Sequence, residues 1–353
     1  MTPLAKQLAE QIMANGPMSM ADYMGQCLMH PELGYYTTRD PLGAVGDFTT
    51  APEISQMFGE LIGLSLAQCW LDQGAPDRFV LVEAGPGRGT LMGDALRATK
   101  SVPGFLAAAE LHLIEGSDPL RCAQKDRLDG FDPTWHIGFE TVPEGPLFLI
   151  ANEFFDALPV RQVERSDGGW CERRIGLKED TLSLGLNQET QMPALEHRLQ
   201  DTKPQDVVEF SPVAQMLAEA IGTRIQTQGG CALIVDYGDW HSLGDSVQAV
   251  QGHEPTGLLD APGEADLSAH VDFEALAVAA PCAHTRLTPQ GIFLERLGIT
   301  ARAETLAQKL QGEALESHIA AHRRLTHPAE MGTLFKVLGL YPQGGTAPPG
   351  LEP

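Results

Sequence analysis

Short apolar runs punctuate this chain. Phe79-Val80-Leu81-Val82, Pro146-Leu147-Phe148-Leu149-Ile150-Ala151 and Cys231-Ala232-Leu233-Ile234-Val235 have the length and composition of strands buried on both faces. Strands are predicted at 79–83, 110–115, near His136-Ile137, at 146–151 and at 231–235. Helical spacing follows them: from Thr90 to about residue 98, after Asp118-Pro119, and from Ser211-Pro212 to about Gln226. Strand alternating with helix predicts an α/β fold, a doubly wound Rossmann-like sheet. The period changes to two at 160–186, where Asp167-Gly168-Gly169 reads as a hairpin turn, so an antiparallel β-unit is inserted there. At the N-terminus, two helices are separated by Asn15-Gly16-Pro17, and Ser19 to Asp22 resembles a capping box. Ile54 to Leu71 is again helical, 239–272 reads as irregular, and 332–340 reads as a last strand. The expected organisation is an N-terminal helical region with a covering loop (1-75), an α/β domain (76-340) with insertions at about 160-205 and 239-290, and a flexible tail (341-353).

Composition narrows the class. With 353 residues, 43% of them hydrophobic, the chain can bury a large core. It carries 24 basic and 47 acidic residues, a net charge of −23, which disfavours nucleic acid and anionic lipid and favours a basic protein partner. No run approaches a membrane span, and no signal or transit peptide is evident, so a cytoplasmic protein without membrane insertion is expected. Six scattered cysteines without a C-x-x-C pair read as reduced thiols, and no metal site is expected.

The candidate chemistry gathers at strand tips. Glu83-Ala84-Gly85-Pro86-Gly87-Arg88-Gly89-Thr90 is a glycine-rich turn between strand and helix, where bare backbone can approach a ligand and helix N–H groups lie free. A glycine turn alone is also what any tight turn requires. Glu115 ends the second strand, where an acid can accept both hydroxyls of a ribose. The spacing G-x-G-x-G and the late position of Glu115 fit S-adenosylmethionine better than NAD. Two other tips are polar: Asn152-Glu153-Phe154-Phe155-Asp156, and Asp236-Tyr237. If the former opens a helix, Glu153 and Asp156 share a face and can grip a guanidinium, which is always protonated and needs its charge localised. The competing reading is a helix cap at Asn152 with acids favouring the dipole.

These motifs resemble the MidA-like family of class I S-adenosylmethionine-dependent methyltransferases. The resemblance covers nearly the whole chain and rests on Gly46-Asp47-Phe48-Thr49-Thr50-Ala51-Pro52-Glu53, the Glu83–Leu91 turn, Asn152–Pro159, Val235-Asp236-Tyr237-Gly238, and 263–273. It implies that Gly85, Gly87 and Gly89 line the cofactor, that Glu115 holds its ribose, and that the loop from Gly46 through Thr49 to Glu53 covers the methionine end or the substrate entrance. Asp266 and His270 would lie near the acceptor. Mitochondrial members dimethylate an arginine of a respiratory complex I subunit, so the resemblance implies a protein substrate, with a complex I subunit as one candidate; absence of a mitochondrial targeting segment suggests a bacterial cytoplasmic member. A non-enzymatic assembly scaffold and a small-molecule methyltransferase are the alternatives. The inserted β-unit would serve as a homodimer arm or as a client platform.

Overall fold

The computed structural model describes residues 2–38 and 50–353. The chain forms two units, each woven from three segments. One comprises Leu42–Phe155, Gln215–Gly238 and Leu276–Pro353. Its frame is a sheet of β1 (Phe79–Ala84), β2 (Ala109–Ile114), β3 (Thr134–His136), β4 (Leu147–Asn152), β5 (Gly230–Asp239) and β6 (Phe335–Tyr341). The order is β6-β5-β4-β1-β2-β3, parallel throughout except for β6. The chain moves outward from β1 to β2 and β3, then returns to place β4 on the other side of β1. That reversal is a topological switch point, where a doubly wound sheet leaves a crevice beyond its carboxyl ends. Every residue of β1 and β4 is buried, which explains their continuous apolar pattern.

Aromatic residues fill the core of this unit. Phe79 lies 4.9 Å from Phe105 and 5.0 Å from Phe148, centroid to centroid. Truncating Phe79 to alanine should cost about 3–5 kcal/mol. The helix Gln56–Asp72 meets the helix Thr90–Thr99 through small residues: a Cβ on Gly63 would stand 2.6 Å from Ala95 Cα. That close approach anchors the helix that leaves the glycine turn.

The other unit comprises Met1–Pro41, Asp156–Ala214 and Asp239–Ala275. Its main sheet orders Met18–Ser19, Trp170–Lys178, Arg161–Arg165 and Val207–Phe210, with Thr181–Leu186 also paired to Trp170–Lys178. The two N-terminal helices pack their apolar faces, including Leu8, Met20 and Tyr23, with Ile175 and Leu267. Ser19 and Asp22 do form a capping box.

Two expectations need correction. Residues 239–272 contain a three-stranded sheet, Glu254–Thr256, Gln248–Gln251 and Asp266–Ser268, whose strands are too short and polar to show a period. The last strand begins at Phe335, because Met331–Leu334 makes one helical turn first.

Candidate functional site

The first strand tip is built as its sequence suggests. Gly85, Gly87 and Gly89 have φ of 65°, 52° and 77°, a left-handed zigzag that side chains resist. Gly89 is the N-cap of helix Thr90–Thr99 and has no capping side chain. Glu83 is 2% exposed, and its Oε2 has no hydrogen-bond partner among the described residues. Burial pushes its carboxyl up to about 8, the Met92 amide opposes that, and the nearby Glu115 charge adds to it.

Glu115 follows β2 and is largely buried. Its Oε1 accepts from the Ser117 amide at 2.8 Å, and its Oε2 accepts from Gln124 Nε2 at 3.1 Å. Arg121 Nε donates to its carbonyl at 2.8 Å. Burial raises its pKa while the Ser117 and Gln124 bonds lower it. Both oxygens are thus fixed, with lone pairs left to accept a vicinal diol.

The β4 tip departs from expectation. Asn152–Asp156 opens no helix; the chain bends after Asn152, and Glu153 has a φ of 51°. A side chain in that region costs on the order of 1–3 kcal/mol and persists only where neighbours fix it. Here the Glu153 amide donates to Val235 O at 2.9 Å, and its Oε1 accepts from Ala51 N at 3.1 Å and Asn152 Nδ2 at 3.2 Å. The shared helical face expected for Glu153 and Asp156 therefore does not exist. Asp236 is 0% exposed, and its carboxylate accepts from the amides of Phe154 at 3.2 Å, Phe155 at 3.0 Å and Tyr237 at 2.9 Å. The Tyr237 ring packs in the core, 5.6 Å from Phe335. Glu53 reaches the neighbouring turn after β1, accepting from Thr90 Oγ1 at 2.5 Å.

In the other unit, Asp156 and Asp266 act on one tyrosine. Asp266 is 8% exposed and hydrogen-bonds the Tyr36 hydroxyl, which the Asp156 charge also reaches. Desolvation of that hydroxyl, then Asp266 and Asp156, push its pKa well above the ordinary tyrosine range. The Asp156 carbonyl accepts from Ala269 N at 2.9 Å, which ties the turn after β4 to the segment carrying Asp266. His270 is exposed, and its amide donates to Ser246 Oγ at 2.9 Å. Gly46 and Thr49 lie outside the described residues. Sequence reasoning missed Tyr36 and Gln124, and named Glu53 only as the end of the covering loop. The aromatics of the turn-rich 30–55 stretch were the one available signal for Tyr36.

Comparison with known proteins fits this geometry. Residues 61–292 match a family described as "Putative S-adenosyl-L-methionine-dependent methyltransferase". The human "Protein arginine methyltransferase NDUFAF7, mitochondrial" is 35% identical over 378 residues, 98% of this chain and 85% of that protein. Its Drosophila melanogaster homolog is 36% identical over 376 residues, 96% and 85% of the two chains. A Burkholderia thailandensis structure bound to S-adenosyl-homocysteine aligns with a TM-score of 0.84 at 26% identity, over 98% of this chain and 93% of its own. A native structure from that organism aligns at 0.79 and 27% identity, over 96% and 91%.

Proposed function

The chain belongs to this family of S-adenosylmethionine-dependent methyltransferases, and from that premise we propose that it methylates an arginine side chain of a protein. The residues present fit the cofactor. Glu115 offers two fixed acceptors for a diol, and the glycine turn presents backbone without side chains. Glu83 Oε2 and Asn152 Oδ1, buried at adjoining strand tips, have no hydrogen-bond partner among the described residues. We assign Gly85, Gly87 and Gly89 to the cofactor's backbone cradle, Glu115 to the ribose, and Glu83 to the cofactor's amino-acid end.

Bound, S-adenosylmethionine supplies a methyl group on a sulfonium, a leaving group already activated, so the chain's task is positioning. The observation that carries the arginine assignment is the meeting of Asp156 and Asp266 on the Tyr36 hydroxyl. A guanidinium is planar, cationic and rich in donors, and carboxylates match it in charge and geometry. Its nitrogens lack a free lone pair, so the carboxylates must draw the positive charge away from the one that attacks. The new N–C bond leaves that nitrogen with a surplus proton, and one carboxylate of the pair takes it. We assign Asn152 and Glu153 to a polar rim at β4, and His270 to the acceptor side. The relatives named as protein arginine methyltransferases support the same acceptor.

A basic protein client in the cytoplasm suits the net charge of −23, and a respiratory complex I subunit is one candidate. The test is transfer of labelled methyl groups into an extract of the source organism, with the modified residue identified by mass spectrometry. Methylarginine is expected. Asp266→Asn should lower labelling by about 100-fold or more while S-adenosylhomocysteine still binds. Label found on lysine or on a small molecule would overturn the assignment.

A further inference from the structure

The cofactor reading names Glu115 and the glycine turn as separate clasps, one polar and one bare backbone. A single buried side chain joins them. Gln124, on the helix Asp118–Arg127, is 0% exposed. Its Nε2 donates to Gly87 O at 2.7 Å and to Glu115 Oε2 at 3.1 Å, and its Oε1 accepts from Trp135 Nε1 at 2.7 Å. A Cβ on Gly89 would stand 3.5 Å from Gln124 Cα, so the backbone of this helix also lies against the turn.

We propose that Gln124 is a positioning residue for the ribose, holding the Glu115 carboxylate and the Gly87 carbonyl in one fixed relation. The proposal rests on Glu115 being the ribose acid. The chemistry selects glutamine closely. Indole N–H can only donate, so Trp135 fixes Gln124 Oε1 as the acceptor. The amide is thereby locked in one of its two orientations, with both N–H groups turned to oxygen acceptors. A carboxylate at this position could not donate and would repel Glu115. An apolar residue would leave Gly87 O, Trp135 Nε1 and one Glu115 oxygen without a buried partner. Ser117 fixes Oε1 of Glu115 from the other side, and Gln124 fixes Oε2. Together they keep the carboxylate in the plane and charge state that accept two hydroxyls at once. Without Gln124, burial favours the protonated acid, which can accept only one of them well.

The test compares calorimetric binding of S-adenosylhomocysteine and its 2′-deoxyribose analogue to the full-length protein. The unaltered protein should prefer the ribose compound by about tenfold or more. Gln124→Met should weaken S-adenosylhomocysteine by roughly tenfold and leave the deoxy analogue within about a factor of three, so the preference collapses. An unchanged preference in Gln124→Met, even with both affinities reduced, would overturn the proposal and leave glutamine a packing residue. Should that variant fail to fold, Trp135→Phe removes only the donor that sets the amide's orientation. It should narrow the preference by about threefold, and no narrowing would equally refute the idea. A protein that shows no preference from the outset would sink the ribose role of Glu115 itself, an outcome distinct from a failure at Gln124.

Discussion

Two neighbouring strand tips reach the same backbone conformation by opposite means. After β1, Gly85, Gly87 and Gly89 enter the left-handed region with no side chain to oppose it. After β4, Glu153 enters the same region carrying a full carboxylate, held there by Val235 O, Ala51 N and Asn152. The first tip leaves its backbone bare for a ligand; the second keeps a charged group in a place the backbone alone disfavours. The lesson concerns visibility. A glycine announces an unusual conformation in the sequence, whereas a strained glutamate does not, because its neighbours in space impose the strain.

The contrast is most sharply broken by giving the first tip a side chain. Gly87→Val puts a β-branched residue at a φ of 52°, in the turn proposed above as the cofactor's cradle. Affinity for S-adenosylhomocysteine should fall by about 100-fold or more by calorimetry, and a bound variant with near-normal affinity would refute the cradle.

Next comes Glu83, the acid beside the glycines. Its carboxyl is raised to about 8, so the folded protein without cofactor keeps a proton that the unfolded chain releases. The stability this proton confers is fully present below the unfolded value of 4.5 and is lost as pH rises through 8. Glu83→Gln should remove that loss, a gain on the order of a few kcal/mol at pH 8.5 relative to pH 5. Thermal melts across that range check it; parallel curves for the two proteins would show Glu83 ionised throughout. Burial lowers the pKa of His112 and His136, which act with the reverse sign as pH falls below 6.5, so the difference between the two proteins isolates Glu83.

The smallest expected effect sharpens the second tip. Glu153→Gly and Glu153→Ala both lose the carboxylate, but only glycine relaxes at a φ of 51°. The glycine variant should be the more stable by about 1 kcal/mol in urea melts. Equal stability would mean the backbone there carries no strain.

Much of the sheet unit was legible because its strands are buried on both faces and write themselves as apolar runs. The glycine turn and Glu115 were legible for the same reason that β1 and β2 were: a tip's position follows once its strand is placed. The bend at Asn152–Asp156 was not. Its residues suit a helix start equally well, and hydrogen bonds from β5 and Ala51 decide the matter across long sequence separations. The strands between 248 and 268 escaped because pairing, not composition, makes them strands. Tyr36 was hidden for a related reason, since its partners Asp156 and Asp266 stand more than 100 residues away in sequence. Gln124 looked like an ordinary helix residue, and only its three buried bonds mark it out.

Asp236 carries one more consequence. Because its carboxylate gathers the amides of Phe154, Phe155 and Tyr237, the corner after β4 borrows its stiffness from the neighbouring strand. The path of the chain out of β4 is therefore written partly in β5, 81 to 82 residues further along the sequence.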